Sequence, residues 1–170
     1  MEFFDLIKAR YSVRAYRPDP ISEEKLQRIL EAARLAPTAA NRQAFKLIIT
    51  KTKGREEELR RLYHREWFIQ APLIIGIVAT PELAWKRRDG KNYADVDAAI
   101  VMDHLILAAA NEGLGTCWIG AFDPAVAREI FALPENVEPV AFTPLGYPAD
   151  SPQPKKRKSL SELVCYDRWA

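Results

Sequence analysis

The sequence is poor in the residues that build metal and redox centres. His64 and His104 are its only histidines, and Cys117 and Cys165 its only cysteines, in 170 residues. Two histidines exclude a multi-histidine metal site. Two cysteines without metal spacing exclude a disulfide framework, so a reduced cytoplasmic protein is the simplest expectation. Long hydrophobic runs are missing as well. No apolar stretch approaches the roughly 18 uninterrupted residues that would cross a bilayer, and no basic-then-apolar signal segment opens the chain. Charge of one sign is also lacking: 25 basic against 23 acidic residues leave +2, which gives no ground for a nucleic-acid or membrane surface. Repeats and low-complexity segments are absent. The remainder, 48% apolar and 28% charged, suits one domain over 1–170 with a substantial core.

One short stretch concentrates unusual chemistry. Lys8 to Arg17 reads Lys-Ala-Arg-Tyr-Ser-Val-Arg-Ala-Tyr-Arg. In an extended backbone, Arg10, Ser12 and Arg14 share one side while Tyr11, Val13 and Ala15 face the other. Successive members of the first set then stand about 6.6 Å apart. Two planar guanidiniums flanking a hydroxyl can clamp a multi-oxygen anion such as a phosphate monoester. The alternative is a solvated basic edge strand with arginine stems lying over the core.

Around this stretch the periodicity predicts alternating helices and strands. Glu2–Ala9 reads as a short helix. Ser22 caps a second helix, with Glu23 and Glu24 in its positive first turn and Leu26, Ile29, Leu30 and Ala33 at helical spacing. The loop Pro37–Phe45 holds small and amide residues. Asn41 and Gln43 there each carry a donor and an acceptor, suited to the polar edge of a heteroaromatic ring, although Asn in a loop is also an ordinary turn former. Strands are expected at Phe45–Thr50, at Leu73–Ala79 and near Val137–Pro148, the second buried on both sides. A charged helix spans about Arg55–His64, with His64 on its last turn, and Pro81–Asn92 reads as a mobile connection or lid. Tyr93–Glu112 is so apolar that a helix there should be buried nearly all round, in the core and against a partner subunit.

Gly113 caps that helix, and Thr116–Ile119 reads as a strand. The glycines do not make a dinucleotide-binding fingerprint, because they follow a helix rather than a strand. Asp123 and Pro124 start a further helix. Lys155-Lys156-Arg157-Lys158 is a second basic cluster, and Leu163, Val164, Tyr166 and Trp169 make the tail too apolar to hang free.

In this order, the segments resemble the nitroreductase family of FMN-dependent oxidoreductases in its short form. Arg10, Ser12 and Arg14 look like the family's phosphate clamp, with Lys155 and Arg157 as its second half. Asn41 and Gln43 match the ring-contacting loop, although Ala44-Phe45 stands where Pro-Trp is usual. Trp118, Ile119 and Gly120 match the segment under the flavin, where the backbone amide of Gly120 would approach N5. The resemblance implies an α+β fold, with a mixed, mainly antiparallel sheet flanked by helices on both faces. It further implies an intertwined homodimer with FMN at the interface and a tail, about 152–170, docked on the partner subunit. The implied activity is hydride transfer from NAD(P)H to FMN, followed by reduction of a nitroaromatic, quinone or similar acceptor in ping-pong order. No side chain is assigned as an acid or base. The alternatives are an FMN-binding or storage protein with little turnover, and a specialised relative such as a reductive dehalogenase-like flavoenzyme.

Overall fold

The apolar run at 73–79 forms the strand on which the sheet is built. In the computed structural model, which describes residues 1–169, β2 (Leu73–Ala79) is buried along all but its first residue. It pairs antiparallel with β1 (Phe45–Lys51) on one side and β4 (Glu138–Gly146) on the other. The two-residue β3 (Gly115–Thr116) completes the order β1-β2-β4-β3. All three pairings are antiparallel, so the four-stranded sheet is antiparallel rather than mixed; a parallel bridge joins Ser12 to Thr116 outside the named strands. Pro139, which has no N–H to donate, stands where the β2–β4 register slips after Ile77.

Helices cover both faces. α2 (Glu23–Arg34) and α4 (Ala94–Asn111) pack Ile29, Ala33, Val101, Met102 and Leu105 onto Ile75, Ile77 and Leu145. On the other face, α3 (Glu56–Leu62) and α5 (Pro124–Ile130) enclose Ile74 and Phe142. Gly76 is required there: a Cβ would sit 2.5 Å from the Phe142 ring. The expected caps form, with Ser22 Oγ accepting from Lys25 N–H and Asp123 Oδ1 from Ala125 and Val126 N–H. α1 (Phe3–Ala9) and the four-residue α6 (Leu160–Leu163) lie toward the two ends of the chain.

Two further expectations need correction. α3 ends at Leu62, so His64 lies beyond it. The expected strand 116–119 is only Gly115–Thr116 plus a lone bridge from Ile119 to Phe142. Segment 81–92, expected as a mobile connection or lid, has hydrogen bonds of its own: Lys86 bridges Asn92, Arg87 N–H donates to Lys91 O, and Asn92 Oδ1 accepts from Ala94 N–H at the start of α4. Within one chain α4 is buried on one side only. Its Ala94–Ala98–Val101–Leu105 side is buried, but Val96, Ala99 and Asp103 are exposed. Residues 151–169 are exposed throughout; Ala170, the end of the expected tail, lies outside the described residues.

Candidate functional site

α1 delivers the chain into the Arg10–Arg17 stretch, which is threaded between β3 and the end of β4. Val13 N–H donates to Thr116 O, Arg17 N–H to Tyr147 O, and Ala149 N–H to Ala15 O, at 2.8–2.9 Å. Val13 is buried against Gly115, where a Cβ would approach it to 2.5 Å. Ser12 is half-buried and Arg14 exposed, so the inside-outside alternation holds from Ser12 to Arg14. It breaks at Tyr16, which turns inward and donates from its hydroxyl to Val13 O at 2.9 Å.

The second basic cluster arrives at this same place. Lys155 Nζ donates to Lys8 O and Ile7 O, at the C-terminal end of α1. Desolvation, and then the charges of Arg10 and Arg157, pull its ammonium below the usual lysine pKa. Arg28, Arg34, Arg60, Arg61 and Arg87 each hold a carboxylate. Among the described residues Arg10, Arg14, Lys155 and Arg157 are in no ion pair. Lys155 near Arg10 and Arg157, with none of the three in an ion pair among the described residues, suits an anionic oxygen cluster.

Two residues that sequence reasoning missed fix this arrangement. Asp150 Oδ2 accepts from Arg14 N–H at 2.8 Å, and Tyr11 donates its hydroxyl to Asp150 O and Oδ1 at 2.9 and 3.1 Å. Asp150 thus ties the root of the tail to the clamp strand. Burial first, then the bond to Asp150 and its charge, push the Tyr11 phenol up to about 12. Cys117, beneath the clamp, is buried, and its thiol is pushed up by desolvation.

From Cys117 onward the chain alternates. Cys117 and Ile119 point inward, and Ile119 joins the Phe142 cluster, so its side chain serves the core. Trp118 and Gly120 face out. A Cβ on Gly120 would meet only Trp118 Nε1, at 3.9 Å, so the backbone there is open to a flat group.

The amide loop stands elsewhere. Thr38 is extended, Ala39–Asn41 make a 3₁₀ turn, and Ala40, Asn41 and Gln43 all have positive φ, of 51°, 52° and 49°. Three non-glycine residues in the left-handed region within four positions mark a strained segment. Thr38 Oγ1 accepts from Gln43 N–H, and Ala39 N–H donates to Asp97 Oδ1 in the first turn of α4. The Asn41 and Gln43 side chains are exposed, and Gln43 Nε2 donates to Asn41 O.

The loop therefore sits at the start of α4, whereas the clamp borders its end, beside Gly113 and Leu114. At 1.5 Å per residue these ends are roughly 25 Å apart. One chain brings Lys155 near Arg10 and Arg157, with Ser12 and Arg14 farther along the strand that carries Arg10, and that strand pairs with β3, which leads to Trp118 and Gly120. It does not bring Asn41 or Gln43 to them. The cleft beside the clamp holds about 150 Å³, below the size of a cofactor site. A hollow of about 870 Å³ on α2 is lined by four glutamates and has the wrong sign for phosphate.

Residues 7–63 and 51–147 match the Nitroreductase family. The chain belongs to the nitroreductase family. A solved nitroreductase family protein from Clostridium difficile 630 is 37% identical, over 99% of this chain and 100% of that one, with a TM-score of 0.91. The NADH dehydrogenase of Thermus thermophilus is 28% identical, over 92% of each chain. The FMN reductase [NAD(P)H] of Bacillus subtilis is 30% identical, over 86% of this chain and 66% of that protein. Membership carries a general oxidoreductase role and accounts for the α+β fold. Among the described residues no cluster of His, Cys, Asp and Glu could hold a metal, and no helix is long and apolar enough to cross a membrane.

Proposed function

We propose that this chain is an FMN-dependent oxidoreductase that takes hydride from NAD(P)H and reduces nitroaromatics, quinones or similar acceptors in ping-pong order. The observation that carries the reading is the crowding of Lys155 by Arg10 and Arg157 with no carboxylate to balance them. A phosphate monoester supplies that balance, and Arg14 and Ser12 complete its donors. The name of the Bacillus subtilis relative, an FMN reductase, supports flavin and nicotinamide as the pair. Bound FMN would supply hydride acceptance and electron delivery; the protein's part is binding, orientation and electrostatics. Gly120 leaves its N–H open toward the ring, Trp118 borders the same face, and Asn41 and Gln43 offer amides to the polar ring edge.

The distance along α4 bears on assembly. Clamp and loop lie at opposite ends of the helix, so a second copy with its α4 antiparallel would bring its loop to this clamp. The exposed Val96–Ala99 side of α4 and the apolar tail are the surfaces such a copy would cover. We therefore read the protein as a homodimer with FMN between subunits and the tail docked on the partner. The visible spectrum of the purified protein tests the function. Flavin bands should be present, or appear on adding FMN, and should bleach anaerobically with NADH or NADPH. A protein that stays colourless with FMN would overturn the reading, and flavin that neither nucleotide bleaches would favour the storage alternative.

A further inference from the structure

Asp97 places a carboxyl group where the fold has least use for one. It falls on the buried side of α4, between Ala94 and Val101, and is only 3% exposed. Its Oδ1 accepts from Ala39 N–H at 2.9 Å. Its Oδ2 is buried with no hydrogen-bond partner among the described residues. A buried carboxylate satisfied on one oxygen alone is destabilising compared with a neutral residue of the same size.

The recipient of that bond explains the placement. Ala39 opens the turn leading into Ala40, Asn41 and Gln43, which are held at positive φ. L-residues stay in that region only when their surroundings over-determine it. Here three side-chain bonds reach the loop backbone: Thr38 Oγ1 and Gln43 Nε2 from within the loop, and Asp97 from a helix 58 residues away. The first two would move with the loop.

We propose that Asp97 is a positioning residue that pins the 38–43 loop to α4 and so sets where Asn41 and Gln43 meet the flavin ring. The assignment rests on the flavin reading, but its core claim concerns the loop itself. Asp97→Ala in the full chain should weaken riboflavin and FMN alike by about tenfold, the scale of one buried hydrogen bond. The midpoint potential of bound flavin should move. Asp97→Asn, whose Oδ1 still accepts from Ala39, should restore both toward wild type. Ala39→Pro removes the donor instead; Thr38 already has the extended backbone that precedes proline. It should reproduce Asp97→Ala, and the double variant should be no worse than either. Without flavin, Asp97→Ala should speed hydrogen exchange at Asn41 and Arg42, whose amides close the turn onto Thr38 O and Ala39 O. Unchanged exchange at those amides in both Asp97→Ala and Ala39→Pro would overturn the proposal. Wild-type protein that binds no flavin would overturn the functional reading alone, because the exchange measurement still reads the tie. If Asp97→Ala does not fold, Ala39→Pro and Asp97→Asn give the same comparison.

Discussion

Arg14 separates the two halves of the candidate ligand. Its guanidinium is exposed and, among the described residues, in no ion pair, while its backbone N–H is anchored to Asp150. Arg14→Ala should therefore leave the melting temperature nearly unchanged and weaken FMN by about tenfold or more, with riboflavin little affected. Equal losses for both ligands would remove the clamp assignment. Gly115→Ala should act through the strand instead. Its methyl would meet Val13 at 2.5 Å, pushing the clamp strand from β3 and costing about 1–3 kcal/mol of stability, read by denaturant melts. Tyr11 gives a pH test. Its phenol is held protonated in the folded chain, up to about 12, against about 10 when unfolded. The stabilisation this represents is complete below pH 10 and lost as pH rises from 10 to 12. Tyr11→Phe should therefore fall less steeply in stability than wild type across that window. Charge and alternation marked Arg10, Ser12 and Arg14 as a candidate anion clamp, whereas Lys155 and Arg157 entered only through the family resemblance. Asp150 could not, because one acidic residue in a Pro-rich connection shows no partner until the fold brings Tyr11 and Arg14 to it. Asp97 did leave a signal, a lone carboxylate on an otherwise apolar helical stripe.

At the scale of elements, β2 was legible to the residue because a β-branched run between prolines allows little else, and α2 because its cap, acidic first turn and spacing agree. The segment 116–119 was not, since β3 is set by its pairing with β4, and pairing is non-local. Segment 81–92 hid its internal ties from the sequence for a related reason. Its polar composition suggested a loose connection, but Asn92 uses its side chain to bind both Pro81 O and Ala94 N–H. Trp85 packs edge-on against Tyr93 at 4.8 Å between centroids. Asn92→Ala removes both side-chain bonds at once. It should lower stability by about 1–2 kcal/mol and make amides 86–92 exchange faster, with the sheet unaffected. If those amides are already unprotected in wild type, the segment is the mobile connection its composition suggested.

At the scale of the molecule, the separation of loop from clamp along α4 turns the dimer into a claim about chemistry. If each site takes its clamp from one subunit and its loop from the other, damage to the two parts can be complemented between chains. A variant with Arg10→Ala and Arg14→Ala lacks clamps; one with Asn41→Ala and Gln43→Ala lacks loop amides. Each as a homodimer should bind FMN poorly at both sites. In a mixed dimer, the intact clamp of the second chain faces the intact loop of the first, and the opposite site carries both lesions. Co-expressed with different affinity tags and purified through both, the mixed dimer should hold one tightly bound FMN per two chains and recover about half the wild-type reductase activity. If each chain instead builds its own site, no combination restores one, and the mixed dimer should bind no better than its parents. Cys165 gives a check without flavin: a docked tail should shield it from thiol reagents at concentrations where sedimentation shows a dimer, whereas the buried Cys117 should stay unreactive at any concentration.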